Sequence, residues 1–186
     1  SSRFVDLALQ QLAMQMSIAS KQSNWQHAHN LAADMLQQCT TPDVACYNIL
    51  IDALARSSEW LKAIHALTWI REQHVKPDII SYNTAISACS NSANWSHSLS
   101  LLADLRSNEL HANVITLSCA IGACARGGKW QRALWLFFDM QANSVKPGII
   151  SYNVAISACS KARQWVRACV ILSLMEEFTL EPDVVS

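Results

Sequence analysis

Residues 44–78 read VACYNILIDALARSSEWLKAIHALTWIREQHVKPD, and this stretch contains one complete structural repeat. Its first apolar residues follow the i, i+3, i+4, i+7 spacing of one helical face, which predicts a first helix from about residue 45 to residue 56. That face carries Tyr47, Leu50, Ile51 and Leu54. The polar residues 56–59 predict a turn, and a second helix should begin at Trp60 and end before Pro77, since the residue preceding a proline disfavours helical geometry.

The same pattern recurs every 35 residues along the chain. The clearest column is tryptophan, at Trp25, Trp60, Trp95, Trp130 and Trp165. Proline, tyrosine and cysteine columns keep the same register. A fixed period of this length indicates a supersecondary element copied in tandem. We therefore predict one array over residues 1–186, with repeats at 44–78, 79–113, 114–148 and 149–183, a degenerate repeat at 9–43, and the start of a further one at 184–186.

Stacking is required because one antiparallel helix pair cannot bury both of its apolar faces. The predicted fold is all-α: a right-handed α-solenoid of tandem antiparallel helix-turn-helix repeats. Each column tryptophan is predicted to be a core residue, wedged between the two helices of its own repeat. Trp69 and Trp135 fall outside the column and are expected at the surface or in an interface.

Composition excludes several function classes. Fourteen basic and fourteen acidic residues give no net charge, which argues against strong non-specific nucleic-acid binding, although a neutral total can contain a basic stripe. The longest apolar run, residues 133–138, is far shorter than the roughly 20 residues that span a bilayer. No targeting segment is visible. Because the chain opens with Ser1 and stops early in a repeat, we expect the native protein to continue beyond it.

Signals for catalysis and metal binding are weak. Seven cysteines include no Cys-x-x-Cys pair, and three of them share one repeat column, which favours buried free thiols over disulfides or a zinc site. Residues 122–129 resemble a phosphate loop, but the spacing is wrong by one residue and no Ser or Thr follows the lysine. His27 and His29 point to different sides of a helix. We predict no cofactor, no metal and no enzymatic activity.

Three segments carry a family resemblance. They are Lys76-Pro-Asp-Ile-Ile-Ser-Tyr-Asn83, Lys146-Pro-Gly-Ile-Ile-Ser-Tyr-Asn153 and Gly128-Lys-Trp-Gln-Arg-Ala-Leu134. Together with the 35-residue period, they closely resemble the pentatricopeptide repeat family, which are organellar RNA-binding solenoids. The resemblance implies that each repeat reads one base with two side chains: the residue after the tyrosine, and the last residue of the repeat.

Carried onto this chain, the resemblance implies four base-reading pairs. Asn48 with Asp78, and Asn153 with Asp183, would favour uridine. Asn83 with Asn113 would favour a pyrimidine such as cytidine, whereas Ser118 with Gly148 supplies only one hydrogen-bonding group. The aliphatic residues that would sandwich the bases are Ile80, Ile115 and Ile150, and Ala45 is a poor substitute there. In the degenerate repeat the pair is Ala13 with Asp43.

Each of these residues also has a structural explanation. The aspartates lie immediately before a helix, where a carboxylate caps free backbone N–H groups, and the asparagines fit a solvated first turn. A basic column recurs at the end of the first helices, with Asn91 as the exception: Lys21, Arg56, Arg126 and Lys161. These cations could offset the helix dipole or donate to an RNA phosphate.

Two functions of different classes follow. The first is sequence-selective binding of single-stranded, U-leaning RNA in organellar RNA processing, stability or translation. The alternative is a non-catalytic helical scaffold that binds protein within a large organellar assembly. The resemblance places either function in a chloroplast or a mitochondrion, with no small-molecule substrate and no transmembrane segment.

Overall fold

The computed structural model describes residues 14–22, 24–37 and 43–177, and this part of the chain consists of helices joined by short turns. Helix α1 contains residues 14–21 of the described chain. The others are α2 (Trp25–Gln37), α3 (Val44–Arg56), α4 (Trp60–Glu72), α5 (Ile79–Asn91), α6 (Trp95–Ser107), α7 (Val114–Arg126), α8 (Trp130–Ala142), α9 (Ile149–Lys161) and α10 (Trp165–Glu177). Among the described residues, no helix is both long enough and apolar enough to cross a bilayer.

The 35-residue period reappears in the helix boundaries. First helices begin at residues 44, 79, 114 and 149, and second helices begin at the tryptophans 60, 95, 130 and 165. The predicted first helix at about 45–56 is confirmed by α3, which starts one residue earlier. Local capping explains the start, because the Asp43 carboxylate accepts a hydrogen bond from the Cys46 N–H at 2.9 Å.

The turns between paired helices share one backbone conformation. Ser58, Ala93, Gly128 and Arg163 all have positive φ values, between 54° and 70°. The residue after each of them donates a backbone hydrogen bond to the carbonyl five residues back, as from the Glu59 N–H to the Leu54 carbonyl at 2.9 Å. This pattern satisfies carbonyls that the helix end would otherwise leave unpaired. This turn ends each first helix and reverses the chain direction, so that the second helix of the repeat runs antiparallel to the first.

Two compact units divide the chain, Ser1–Ala88 and Cys89–Ser186, with the boundary inside α5. In the first unit α3 packs against α2 and α4, and its core includes Tyr47, Leu50 and Ile51. In the second, α7 packs against α6, α8 and α9, and α9 also packs against α8 and α10. Phe137 and Tyr152 meet in that core with ring centroids 5.0 Å apart.

The tryptophan column does not form the core, so that prediction is wrong. The first four members are half-buried, and Trp165 is 71% exposed. A Cβ placed on Gly127 would lie 2.5 Å from Cδ1 of Trp95, which shows that this indole lies against the turn of the following repeat. The physical reason is position: each tryptophan opens a second helix, at the edge of the helix pair, whereas the tyrosine column lies within it.

Cations from the following repeat cover these indoles. The Lys62 ammonium lies 3.7 Å from the ring centroid of Trp25. The guanidinium of Arg132 lies 4.5 Å from that of Trp95, and the guanidinium of Arg167 lies 4.9 Å from that of Trp130. Each cation follows its tryptophan by 37 residues, so the contact itself is periodic. Such contacts stabilise by about 0.5–1 kcal/mol at exposed sites.

The two tryptophans outside the column differ from each other. Trp69 is half-buried and meets the Tyr47 ring edge-on, with centroids 5.5 Å apart. It also stacks on the His29 ring at 6.0 Å, so it is a packed residue rather than a simple surface one. Trp135, in contrast, is 61% exposed, as predicted for a surface position.

Candidate nucleic-acid interface

Asn48 and Asp78, 30 residues apart in sequence, lie side by side. The Asn48 Nδ2 donates to Asp78 Oδ1 at 3.1 Å. The hydroxyl of Ser81 joins them, donating toward Asn48 Oδ1 at 2.5 Å and lying 3.0 Å from Asp78 Oδ1. Asn48 stands on the second turn of α3, and Asp78 immediately precedes α5. Stacking of consecutive first helices therefore presents an amide and a carboxylate at one place.

Asp78 combines a capping role with this pairing. Its Oδ1 accepts a hydrogen bond from the Ser81 N–H at 2.8 Å, which caps α5. Burial alone would raise the pKa of this carboxyl, but hydrogen bonds from the Ser81 backbone, the Asn48 amide and the Ser81 hydroxyl outweigh it. The pKa of Asp78 is consequently below its ordinary value of 3.8, and the group is a carboxylate at neutral pH.

Ser81 is a site residue that the sequence reasoning overlooked. The signal was available, because Ser81 stands three residues after Asp78, the spacing of a capping box. The same box forms in the second compact unit, where Asn113 caps α7 by accepting from the Thr116 N–H at 2.9 Å. Residue types at this column are Cys46, Ser81, Thr116 and Ser151.

The third pair is incomplete. Ser118 is buried, and its hydroxyl lies 2.7 Å from the Ser151 hydroxyl, in the way that Asn48 contacts Ser81. At the position corresponding to Asp78 stands Gly148, which caps α9 without a side chain. A Cβ added at Gly148 would meet nothing within 4 Å. The repeat therefore has space for an acidic partner but lacks one.

For the remaining predicted base-reading residues, the structure gives the position of single members. Asn83 is half-buried on α5 in the first compact unit, and Asn113 is exposed before α7 in the second. Asn153 is half-buried on α9. Its predicted partner Asp183 lies outside the described residues, as does Ala13 of the degenerate repeat.

The predicted base-sandwiching isoleucines share one environment. Ile80, Ile115 and Ile150 occupy the second position of α5, α7 and α9, and each is more than half exposed. Ala45, at the same position of α3, is exposed as well. Each of these exposed aliphatic side chains would be stabilised by being covered.

Two arginines of the basic column are held by neighbouring groups. Arg56 Nε forms an ion pair with Asp52 Oδ2 at 2.8 Å, and Asp52 also accepts from the Ser20 hydroxyl at 2.6 Å. Arg126 Nε donates to the Ser90 carbonyl on α5 at 2.7 Å, and its guanidinium also bonds the Ser90 hydroxyl. Arg126 thus ties α7 to the first helix of the preceding repeat, whereas Arg56 pairs within α3. Lys21 and Lys161 are exposed.

Within the described residues, no group of three His, Cys, Asp or Glu side chains is arranged to hold a metal ion. The buried thiols are free, as predicted from the cysteine column. Burial raises the pKa of Cys89 and of Cys124 to about 11. These thiols therefore stay protonated at neutral pH.

Sequence models of repeat families match most of the chain. A model described as "PPR repeat family" matches residues 42–91, and one described as "Pentatricopeptide repeat domain" matches residues 100–162. A third, "PPR repeat", matches residues 80–110 and 150–180. Together the matches extend over residues 42–180. Among curated proteins, no sequence matches the chain.

Several solved structures share the fold. The pentatricopeptide repeat protein PPR10 in complex with an 18-nt psaJ RNA element aligns with a TM-score of 0.73 at 22% identity, over 98% of this chain and 30% of that one. PPR10 from maize aligns with a TM-score of 0.61 at 20% identity, over 94% and 30%. The PPR domain of Arabidopsis thaliana protein-only RNase P 1, in complex with tRNA, aligns with a TM-score of 0.77 at 10% identity, over 92% and 90%.

This chain therefore spans about 30% of the length of PPR10 and nearly all of the RNase P repeat domain. At these identities the similarity is one of fold. It confirms the predicted fold class, an all-α solenoid of tandem helix pairs.

Proposed function

The chain belongs to the pentatricopeptide repeat family, and from that premise we propose that it binds single-stranded RNA sequence-selectively through its first helices. Within an organelle, this binding would serve RNA processing, stability or translation. The chain would act by binding alone, without catalysis. The PPR10 and RNase P repeat structures, which contain RNA, support the proposal.

The observation that carries the proposal is the pairing of Asn48 with Asp78 at 3.1 Å. Single-stranded bases are read on their Watson–Crick edges by side-chain donors and acceptors. Uracil presents an N3–H donor between two carbonyl acceptors, so it fits a carboxylate acceptor beside an amide donor. Cytosine presents a lone pair at N3, which a carboxylate repels. Because the pKa of Asp78 is lowered, its charge persists at neutral pH and favours uridine.

The exposed isoleucines support the same reading. Ile80 follows Asp78 by two residues and is more than half exposed, so it can cover the face of a base held at that pair. Burying apolar surface stabilises by about 25 cal/mol per Å². Ile115 and Ile150 repeat the arrangement on α7 and α9.

The free energies of base contact and of association predict that this array alone binds RNA weakly. Each base contributes roughly 1–3 kcal/mol, while association costs about 4–15 kcal/mol. The Ser118–Gly148 repeat lacks an acidic partner, which lowers the total further. Because Asp52 already pairs with Arg56, the other three cations of the basic column are the ones available to phosphates, which predicts a salt slope of about −2.1, using ~0.7 per charge on single strands.

The test is the substitution Asp78→Asn, which preserves helix capping because asparagine caps as well as aspartate does. It removes the charge and converts the pair to Asn–Asn. We expect the preference for a U-rich over a C-rich strand to fall by about tenfold, the scale of one hydrogen bond to a charged group. Fluorescence anisotropy with labelled strands at fixed salt measures the preference.

Asp43→Asn is the matched control. Asp43 caps α3 as Asp78 caps α5, but its sequence partner Ala13 offers no hydrogen-bonding side chain. The control should leave the preference unchanged. Equal losses in both variants, or no preference in the unaltered chain, would contradict the proposal.

A second candidate function, a non-catalytic scaffold that binds protein, is favoured by a different surface. Trp135 and Phe138 are exposed on α8, which is a second helix, whereas the proposed base-reading residues lie on first helices or immediately before them.

A further inference from the structure

Two grooves run between successive second helices in the compact unit Cys89–Ser186. The first lies between α6 and α8 and has a volume of about 470 Å³. The second lies between α8 and α10 and has a volume of about 160 Å³. The first is lined by Leu99, Gln131, Arg132, Trp135 and Leu136, and the second by Leu134, Phe138, Val166, Arg167, Val170 and Ile171. We call these the second-helix grooves.

The second-helix grooves are copies of one another. Each residue that lines the first groove has an equivalent 35 positions later that lines the second groove. These equivalents are Leu134, Val166, Arg167, Val170 and Ile171. An arginine therefore stands at the same place in both, and the remaining positions are almost all apolar. A surface generated by the repeat has regular spacing, which suits a ligand with its own repeat.

The exposed side chains around these grooves are unusually apolar. Trp135 is 61% exposed and Phe138 is 44% exposed, and Val166 and Val170 are also exposed. Contiguous exposed apolar residues on a soluble domain mark an interaction site. Aromatic residues in such patches commonly carry most of the binding energy.

The charge of the grooves selects the ligand. Both charged lining residues are arginines, Arg132 and Arg167. Each is fixed in place by stacking on the preceding indole, at 4.5 Å from Trp95 and 4.9 Å from Trp130. The nearby carboxylate of Asp139 is already compensated by Arg106, at 2.8 Å. A ligand therefore gains by placing a carboxylate beside each groove.

We propose that the second-helix grooves bind an amphipathic helix of a protein partner, which places apolar residues in the grooves and an acidic residue beside each arginine. A helix that crosses α6, α8 and α10 meets the two grooves in succession.

The shape of the second-helix grooves favours a helix as the ligand over a membrane. A bilayer contacts protruding apolar residues and has no side chains to insert into a groove. The apolar lining also disfavours RNA, whose phosphates would face leucine and valine. The inference extends beyond the proposed RNA binding, since the grooves lie on the second helices.

A designed peptide tests the proposal. The probe is a synthetic helix of about three heptads with leucine at the a and d positions and glutamate at the flanking positions. Its matched control carries lysine in place of every glutamate. The acidic peptide should bind about tenfold or more tightly than the basic one, as measured by fluorescence anisotropy at low salt. Trp135→Ala should weaken acidic-peptide binding by about tenfold or more.

Variants separate the two proposed surfaces. Trp135→Ala should leave RNA binding unchanged, whereas Ile115→Ala on α7 should weaken RNA binding and leave peptide binding unchanged. Arg132→Gln, which retains a long side chain over Trp95, should reduce the preference for the acidic peptide. A thermal unfolding midpoint for each variant shows that the fold is intact.

Three results would overturn the proposal. Equal binding of the two peptides would remove the charge argument. Binding of phosphatidylglycerol vesicles that Trp135→Ala abolishes, without peptide binding, would assign the grooves to a membrane surface. Self-association of the chain that Trp135→Ala abolishes, again without peptide binding, would assign them to a second copy.

Discussion

At the residue scale, Asp78 is both a helix cap and a member of a proposed base-reading pair. Its carboxylate caps α5 through the Ser81 N–H at 2.8 Å and accepts from the Asn48 amide at 3.1 Å. The structural explanation and the base-reading explanation of this residue are therefore compatible. A helix cap holds the carboxylate in a defined position, which is what recognition of a base edge needs.

The lowered pKa of Asp78 predicts a pH-dependent contribution to stability. Because the folded state lowers the pKa, this contribution is fully present above the unfolded value of 3.8 and is lost as the pH falls through the folded value. Between about pH 5 and about pH 3, the unaltered chain should lose more stability than Asp78→Asn. Urea unfolding followed by circular dichroism at both pH values checks this. Identical losses would show that the Asp78 network does not stabilise the fold.

The tryptophans of the column occupy equivalent positions but have different environments. The same residue type recurs at the same helical position, yet its environment depends on the following repeat. Trp95 lies under Arg132 and against the turn at Gly127, whereas Trp165 is largely exposed. A period in the sequence identifies equivalent positions but does not say whether they are buried.

At the scale of the element, helix α8 has one buried face and one exposed face. Its inward face contains Ala133, Phe137 and Met140, which are buried. Its outward face exposes Trp135 and Phe138. Adjacent phenylalanines on one helix thus provide an internal comparison, because they differ in burial but share their secondary structure.

Phe137→Ala should destabilise the protein by about 3–5 kcal/mol, because it removes a fully buried ring that meets Tyr152 edge-on. Phe138→Ala, one residue further on, should cost about 1 kcal/mol or less. Denaturant midpoints of the two variants test the difference. Similar costs would mean that the two faces of α8 are not distinguished as described.

At the scale of the whole molecule, the repeat pattern distributes chemistry between helix classes. First helices carry the exposed isoleucines and the polar residues proposed to read bases, and second helices carry the apolar grooves of the second compact unit. Zero net charge fits this division, because neither proposed ligand is held by a general excess of basic residues. In both proposals, specific local contacts would carry the binding instead.

The rate at which the buried thiols react measures how often the fold opens. Cys169 is exposed, whereas Cys46, Cys89, Cys124 and Cys159 are buried, and burial raises the pKa of Cys46 to about 12. A thiol-specific reagent at about pH 8 should modify Cys169 at least about a hundredfold faster than these four, whose reaction requires opening of the fold. Reaction kinetics monitored at increasing urea measure both phases.

Cys169→Ser provides the control, since it should remove one equivalent from the fast phase and leave the slow phase unchanged. Fast modification of all the cysteines in the unaltered chain would contradict a packed array of first helices.

The sequence by itself determined the period, the helix starts and the helix caps, because these depend on interactions within a few residues of one another. Residue 60 begins α4 and Asp43 caps α3 for reasons contained in the local sequence. The family resemblance added which residues pair, and the Asn48–Asp78 contact agrees with it.

Only the tertiary structure decided which residues of one repeat contact the next repeat. The contact of Trp95 with Gly127, the bond from Arg126 to Ser90 and the meeting of Ser118 with Ser151 all join residues about 32–36 positions apart. The second-helix grooves arise in the same way. These features depend on the rotation and distance between successive helix pairs, which follow from how whole apolar faces pack and not from the order of residues inside any one repeat.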